Sequence, residues 1–306
     1  MDASPAIVVI SGGAGDLTWR KAVPSLFDRD ASGEQCRHFK ADTAFGQSST
    51  ADQLMSASPI MQTKRITSKG LAPGKIVFLF DVDNTLLDSD RVTADLRHHL
   101  EKEVGREGAE CYWNIFEQLR CELGYADYLG ALQRYRIENP HDPRLLTVSH
   151  FLIHYPFANR LFPHSLEVVE GVKRWGPAVI LSDGDVVFQP HKVERSGLFK
   201  AVNGNVLIYV HKEQELDDVT QRYPGDHYVM VDDKLRILGA IKKIWGRRVT
   251  TVFVRQGHYA LDPKLFATYP PADVSIEHIG DLLRCDLPHF TQELRGIPTA
   301  SLKTLE

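Results

Sequence analysis

Cysteine is scarce in this chain. Cys36, Cys111, Cys121 and Cys285 are the only four among 306 residues, and no two of them form a CxxC pair. That pattern offers neither a zinc site nor a dithiol redox motif, and it predicts reduced thiols in a cytoplasmic protein. Positive charge is not in excess either. The net charge is -4 and no basic run occurs, so there is no electrostatic case for a nucleic-acid partner. No apolar stretch approaches the roughly 20 residues that a membrane helix needs, and no membrane partner is expected. Asp2, with no cationic segment beside it, predicts no secretory signal. Internal repeats are absent too. What is present, 43% hydrophobic and 25% charged residues, suits a soluble globular protein of about two domains, acting as a monomer or homodimer.

The informative segment is Phe80-Asp81-Val82-Asp83-Asn84-Thr85-Leu86-Leu87-Asp88, directly behind the apolar run Lys75-Ile76-Val77-Phe78-Leu79. A continuous hydrophobic run with β-branched residues reads as a strand buried on both faces, as in parallel α/β sheets. Two aspartates then emerge at its carboxyl end, where ligands bind in open α/β sheets. Carboxylates one residue apart repel unless something positive lies between them, and a hard cation such as Mg²⁺ answers that need.

Three more strand ends follow. Pro177-Ala178-Val179-Ile180-Leu181 runs into Ser182-Asp183-Gly184-Asp185, where a hydroxyl and a Gly-containing turn can donate to phosphate oxygens. Val206-Leu207-Ile208-Tyr209-Val210 leads to His211-Lys212-Glu213. A lysine at a helix start opposes the helix dipole, which suggests local negative charge to balance it. His227-Tyr228-Val229-Met230-Val231 ends in a second acidic pair, Asp232-Asp233, followed by Lys234. Lys192 competes with Lys212 as the site cation. It reads better as a surface residue of the helix that ends at Gly197.

In order, these strand ends resemble the four motifs of the haloacid dehalogenase (HAD) superfamily, whose first motif is DxDxT. The resemblance covers roughly residues 72–260. It implies an α/β, Rossmann-like core, a parallel sheet flanked by helices, with an inserted α-helical cap domain. It further implies a Mg²⁺-dependent phosphatase that hydrolyses a small phosphorylated metabolite through an aspartyl-phosphate. Asp81 would be the nucleophile and Asp83 the general acid and base. Thr85 would steady the motif loop, and Thr85, Ser182, Asp183 and Lys212 would meet the phosphoryl group, Lys212 also serving catalysis. Asp81, Asp83 (through its backbone carbonyl), Asp232 and Asp233 would hold the metal. An aspartate at position 83 favours an oxygen leaving group over a halide. The alternatives are a phosphomutase of the same fold and, from another class, a dinucleotide-binding module.

The latter rests on Ala6-Ile7-Val8-Val9-Ile10 and the Gly-rich turn Ser11-Gly12-Gly13-Ala14-Gly15-Asp16-Leu17 with Arg20-Lys21. These residues are similar to the GxxGDLxxRK opening of glucose-6-phosphate dehydrogenase, which would imply NADP binding. The match stops there, because residues 31–74 are polar and rich in Ser, Thr and Gln. The expected organisation is a dinucleotide-motif-like segment at 1–34, a disordered linker at 35–73 and a catalytic core at 74–88 and 163–290. A helical cap of the C1 type would occupy 89–162, with a C-terminal tail at 291–306.

Within the cap, helices are expected from Leu96, Leu100 and Val104, from Tyr112 through Leu123, from Tyr128 through Tyr135, and over about 143–161. Residues 87–90 and 162–166 would be its hinges. Arg134, Arg136, His154 and Arg160 are candidates for a second anionic group on the substrate, although each also suits a solvated helix face.

Overall fold

The computed structural model describes Val8–Val9 and residues 75–285. The readings placed on 1–34, 35–73 and 291–306 therefore lie outside the described residues, apart from strand β1, Val8–Val9.

Strands β2 (Ile76–Phe80), β3 (Ala178–Asp183), β4 (Val206–Tyr209), β5 (His227–Asp232), β6 (Val249–Val254) and β7 (Val274–Ile276) complete a parallel sheet in the order β1-β4-β3-β2-β5-β6-β7. All five residues of β2 are buried, as expected of a strand covered on both faces. Ile76, Phe78 and Phe80 enter one apolar cluster, and Val77 and Leu79 enter the other. This two-residue alternation divides one hydrophobic run between two layers.

Register brings the strand ends together. Phe80 pairs with Ile180 of β3 and with Val231 of β5, so Asp81 leaves the sheet beside Ser182 and Asp232. Asp183 pairs with Tyr209, the last residue of β4, three residues before Lys212.

Between β2 and β3 the chain forms helices α1 (Ser89–Leu123), α2 (Tyr128–Glu138) and α3 (Leu145–His154), then a 3-10 turn at Phe157–Arg160. Helix α1 contains non-helical backbone at Gly105 (φ 78°, ψ 172°), which separates the two apolar stripes seen in the sequence. The last expected helix is shorter than its pattern. It stops at His154 because Tyr155 precedes Pro156 and adopts ψ 135°, outside the helical region.

The chain's exit from the sheet and its return pair with each other. Asp88 N donates to Arg160 O at 2.7 Å and Phe162 N to Leu86 O at 2.9 Å. After α4 (Ser165–Val172), the core adds α5 (Phe188–Arg195), α6 (Leu198–Ala201), α7 (Leu216–Arg222) and α8 (Leu235–Trp245). No described helix is long and apolar enough to cross a membrane.

Candidate active site

Asp81 is 3% exposed at the end of β2. Its Oδ1 accepts from Lys212 Nζ at 2.6 Å and from Ser182 Oγ at 3.2 Å, while Oδ2 has no partner among the described residues. Burial pushes this carboxyl up to about 6, with Asp232 adding to the rise and Lys212 opposing it. Lys212 also lies 2.7 Å from Asp232 Oδ2, and its ammonium is 1% exposed. Its pKa is held well above the usual lysine value: burial works against the charge, but Asp232, Asp81 and Asp183 outweigh it. One buried ammonium thus spans two strand ends. Asp183 holds that lysine in place, for its Oδ1 accepts from the main-chain N–H of Lys212 at 2.7 Å.

Asp232 and Asp233 close the other side. Asp232 Oδ1 accepts from Lys234 N at 2.8 Å, whereas neither oxygen of the buried Asp233 has a partner among the described residues. Burial pushes Asp233 far above the usual carboxylate range; Asp232 and Asp81 add to this and Lys234 opposes it. Asp81, Asp232 and Asp233 each offer an oxygen, all within 4.8 Å of one another. Three buried carboxylates facing two ammoniums, Lys212 and Lys234, still carry an excess of negative charge when ionised, the condition under which a cation with oxygen ligands binds.

Asp83 belongs to a neighbouring group. Its Oδ1 accepts from Lys192 Nζ at 2.6 Å and from Ser89 Oγ, and its Oδ2 from Gln189 Nε2 at 2.8 Å. Burial alone would push this carboxyl up, but the Lys192 ammonium and the hydrogen bonds from Lys192, Ser89 and Gln189 hold it down at about 2. Lys192 is therefore no surface residue. It is 3% exposed and turned inward, because α5 presents Phe188, Gln189 and Lys192 to the interior. Lys212 is the lysine paired with Asp81, and Lys192 is a second cation, paired with Asp83.

The motif loop is built to carry these groups. Asn84 adopts φ 56° and its Oδ1 accepts from the N–H groups of Ser89 and Asp90, satisfying donors at the start of α1. Gly257 passes so close that an added Cβ would meet the Asn84 side chain at 2.5 Å. Thr85 is anchored through its carbonyl, which accepts from Gln256 Nε2 at 3.2 Å, and its buried hydroxyl has no partner among the described residues.

The sequence did not point to Gln189, Lys234 or Asn84. Lys234 stands over the Tyr259 ring at 5.2 Å, with its charge favoured by Asp233, Asp81 and Asp232. Of the candidates for a second anionic group, Arg134 is paired with Glu122 at 2.7 Å and Arg160 with Asp95 at 2.6 Å. His154 Nδ1 lies 3.0 Å from His150 O. Arg136 has no described link to the site.

Fold and site together define an α/β enzyme with carboxylates at the ends of its central strands, balanced by lysine. Scans of family models and of curated proteins matched nothing. Among solved structures, a haloacid dehalogenase-like hydrolase from Burkholderia xenovorans LB400 aligns with 64% identity and a TM-score of 0.67, over 70% of this chain and 100% of its own. A haloacid dehalogenase-like family hydrolase from Xanthomonas campestris shares the fold at 15% identity and TM-score 0.53, over 76% of this chain and 97% of its own. An L-2-haloacid dehalogenase from Xanthobacter autotrophicus aligns at 18% identity and TM-score 0.45, over 68% and 96%, a likeness too faint to bear on chemistry. The chain belongs to the haloacid dehalogenase-like hydrolases, and it is an enzyme of that class.

Proposed function

We propose that this enzyme is a Mg²⁺-dependent phosphatase of small phosphorylated metabolites that works through an aspartyl-phosphate. The observation that carries this reading is Asp83, an acid two residues from the nucleophile. Its Oδ1 takes two donors and its Oδ2 one, so a lone pair of Oδ2 is open for a proton. An alkoxide leaving group requires such a proton, whereas a halide does not.

In the first step an Asp81 carboxylate oxygen bonds to phosphorus as the ester P–O bond breaks, and the leaving oxygen takes the proton from Asp83 Oδ2. In the second step Asp83 removes a proton from water. The water oxygen bonds to phosphorus, and the Asp81 carboxylate is released with phosphate. Asp83 starts ionised beside Lys192, and the arrival of a phosphoryl dianion favours its uptake of the first proton. Ser182 and Lys212, both touching Asp81 Oδ1, would bind the transferring oxygens.

Hard oxygen ligands from Asp81, Asp232 and Asp233, several of them buried and without a partner among the described residues, fit Mg²⁺. Bound there, Mg²⁺ would offset the negative charge between nucleophile and substrate. The helical insertion would serve as a C1-type cap that excludes water. Supporting this, an added Cβ at Gly124, just past α1, would meet the His211 ring at 2.5 Å, beside Lys212. Arg120 of α1 also donates to Tyr259 OH at 3.0 Å.

The test is direct. Purified protein is expected to release inorganic phosphate from 4-nitrophenyl phosphate with Mg²⁺ and to stop in EDTA. Halide release from a 2-haloacid, or isomerisation of a sugar phosphate in place of phosphate release, would replace this reading.

A stability prediction accompanies it. The carboxyls of Asp81 and Asp233 are raised, so the folded, metal-free protein holds protons that the unfolded chain has lost. Their contribution is fully present below about pH 4; the Asp81 part is lost as pH rises through about 6, and the Asp233 part is lost as its raised carboxyl ionises. Metal-free protein should therefore lose melting temperature across that window, and Mg²⁺ should restore it. Asp233→Asn should melt a few degrees higher than wild type without metal at pH 7.5 and respond weakly to Mg²⁺. A lower melting point with an undiminished Mg²⁺ response would contradict the assigned ligand set.

A further inference from the structure

Helix α5 joins two places that are far apart in sequence. On one side it grips Asp83: Lys192 Nζ lies 2.6 Å from Oδ1 and Gln189 Nε2 lies 2.8 Å from Oδ2. The same Gln189 nitrogen donates to Ser182 Oγ at 3.0 Å, so one amide links the carboxylates' two neighbourhoods. Both side chains are 3% exposed. A lysine buried for packing alone would be a poor choice, because an ammonium loses its hydration there and needs a partner to compensate. The fit is also close, since an added Cβ at Gly184 would lie 2.6 Å from Gln189 Cβ.

On the other side α5 meets the helical insertion. Phe188 is 1% exposed, with ring centroids 5.3 Å from Tyr128 of α2 and 5.6 Å from Phe157. His191 Nε2 lies 2.6 Å from the carbonyl oxygen of Ile153 in α3. The helix that orients Asp83 is thus seated against the insertion.

We propose that Lys192 and Gln189 are positioning residues that fix Asp83 so that Oδ2 faces the leaving oxygen, with α5 relaying the seating of the helical insertion to that carboxylate. Of the two oxygens, Oδ1 is occupied by Lys192 and Ser89, which leaves Oδ2 as the atom that exchanges the proton. The inference rests on the phosphatase reading above, in which Asp83 serves the leaving group. A fixed carboxylate matters most when the leaving oxygen is strongly basic, and little when it departs readily as an anion.

The experiment uses full-length protein with Mg²⁺ and a series of substituted phenyl phosphates from 4-nitrophenyl to unsubstituted phenyl. The readout is the dependence of kcat and KM on leaving-group basicity. Wild type should show a shallow dependence and Asp83→Asn a steep one. Lys192→Met and Gln189→Leu should fall between them, each losing about 10-fold in kcat on 4-nitrophenyl phosphate and about 10²-fold or more on phenyl phosphate, with KM little changed. Should Lys192→Met fail to fold, Gln189→Leu carries the test alone. If Asp83→Asn steepens the dependence while both variants lose the same factor on every ester, or lose nothing, this inference is overturned and the phosphatase reading stands. If Asp83→Asn itself leaves the dependence shallow, the role given to Asp83 fails, and this inference fails with it.

Discussion

Asp81→Asn is expected to abolish turnover, by about 10⁴-fold or more, while leaving the fold intact. The amide is nearly isosteric with the carboxylate, and its oxygen can still accept from Lys212 and Ser182, the two donors that Oδ1 now uses. It cannot form the acyl-phosphate, so the first step has no nucleophile. Removing one of three clustered carboxylates also relieves repulsion, so the melting temperature should hold or rise. The checks are phosphate release, a thermal melt, and mass spectrometry of protein quenched in acid during turnover. Phosphate attached at Asp81 should be seen in wild type and be absent from the variant. A variant that still turns over at the wild-type rate would remove Asp81 from the chemistry.

The sequence made the surroundings of Asp81 legible because their signals are local. A five-residue apolar run forces a doubly covered strand, and acidic pairs at two strand ends cannot be explained by packing. Parallel register then places Asp81 beside Ser182 and Asp232 without further information. The helical insertion was readable for the same reason, since Leu96, Leu100 and Val104 repeat at the helical period. Its last helix was overread because Tyr155 and Phe157 continue the apolar pattern past Pro156, which ends the helix.

What escaped the sequence depends on contacts between distant residues. Lys192 and Asp83 stand 109 residues apart, and nothing in Gln189-Pro190-His191-Lys192 says which face of α5 will be covered. Burial is decided by the neighbours of a helix, and a lysine at a given helical position reads alike on either face. Asn84 escaped for another reason: a positive φ at a non-glycine residue is allowed by its short amide side chain, which then caps α1. Strands β6 and β7 lie beyond the four motif strands, at one edge of the sheet. The run Val249-Thr250-Thr251-Val252-Phe253-Val254 carries a plain β signal, but no functional residue at its end drew it into the motif pattern.

Lys212→Met should produce the largest loss of stability in the molecule. The ammonium is 1% exposed, lies 2.6 Å from Asp81 Oδ1 and 2.7 Å from Asp232 Oδ2, and donates to Leu181 O at 3.3 Å. Methionine keeps the length and volume of the side chain, so the change removes charge and donors and leaves no cavity. Two buried carboxylates then lose their common partner, a defect that costs about 3–5 kcal/mol when one member of a buried ion pair is deleted. For a core of this size that corresponds to a fall of about 10 °C in melting temperature. The sign with pH follows from Asp81, whose carboxyl Lys212 at present holds down. Without the ammonium that carboxyl titrates higher still, so metal-free variant and wild type should differ most near pH 8 and draw together as pH falls toward 4, where Asp81 is protonated in both. Mg²⁺ should recover part of the stability, because a second cation can take over some of the compensation. It should recover little activity, since a donor to the transferring oxygens is missing and the loss of such a donor costs about 10²–10³ in kcat. Melting curves at pH 5 and pH 8, each with and without Mg²⁺, decide the matter. A variant that melts with wild type at pH 8 without metal would show that Lys212 does not neutralise the acidic centre.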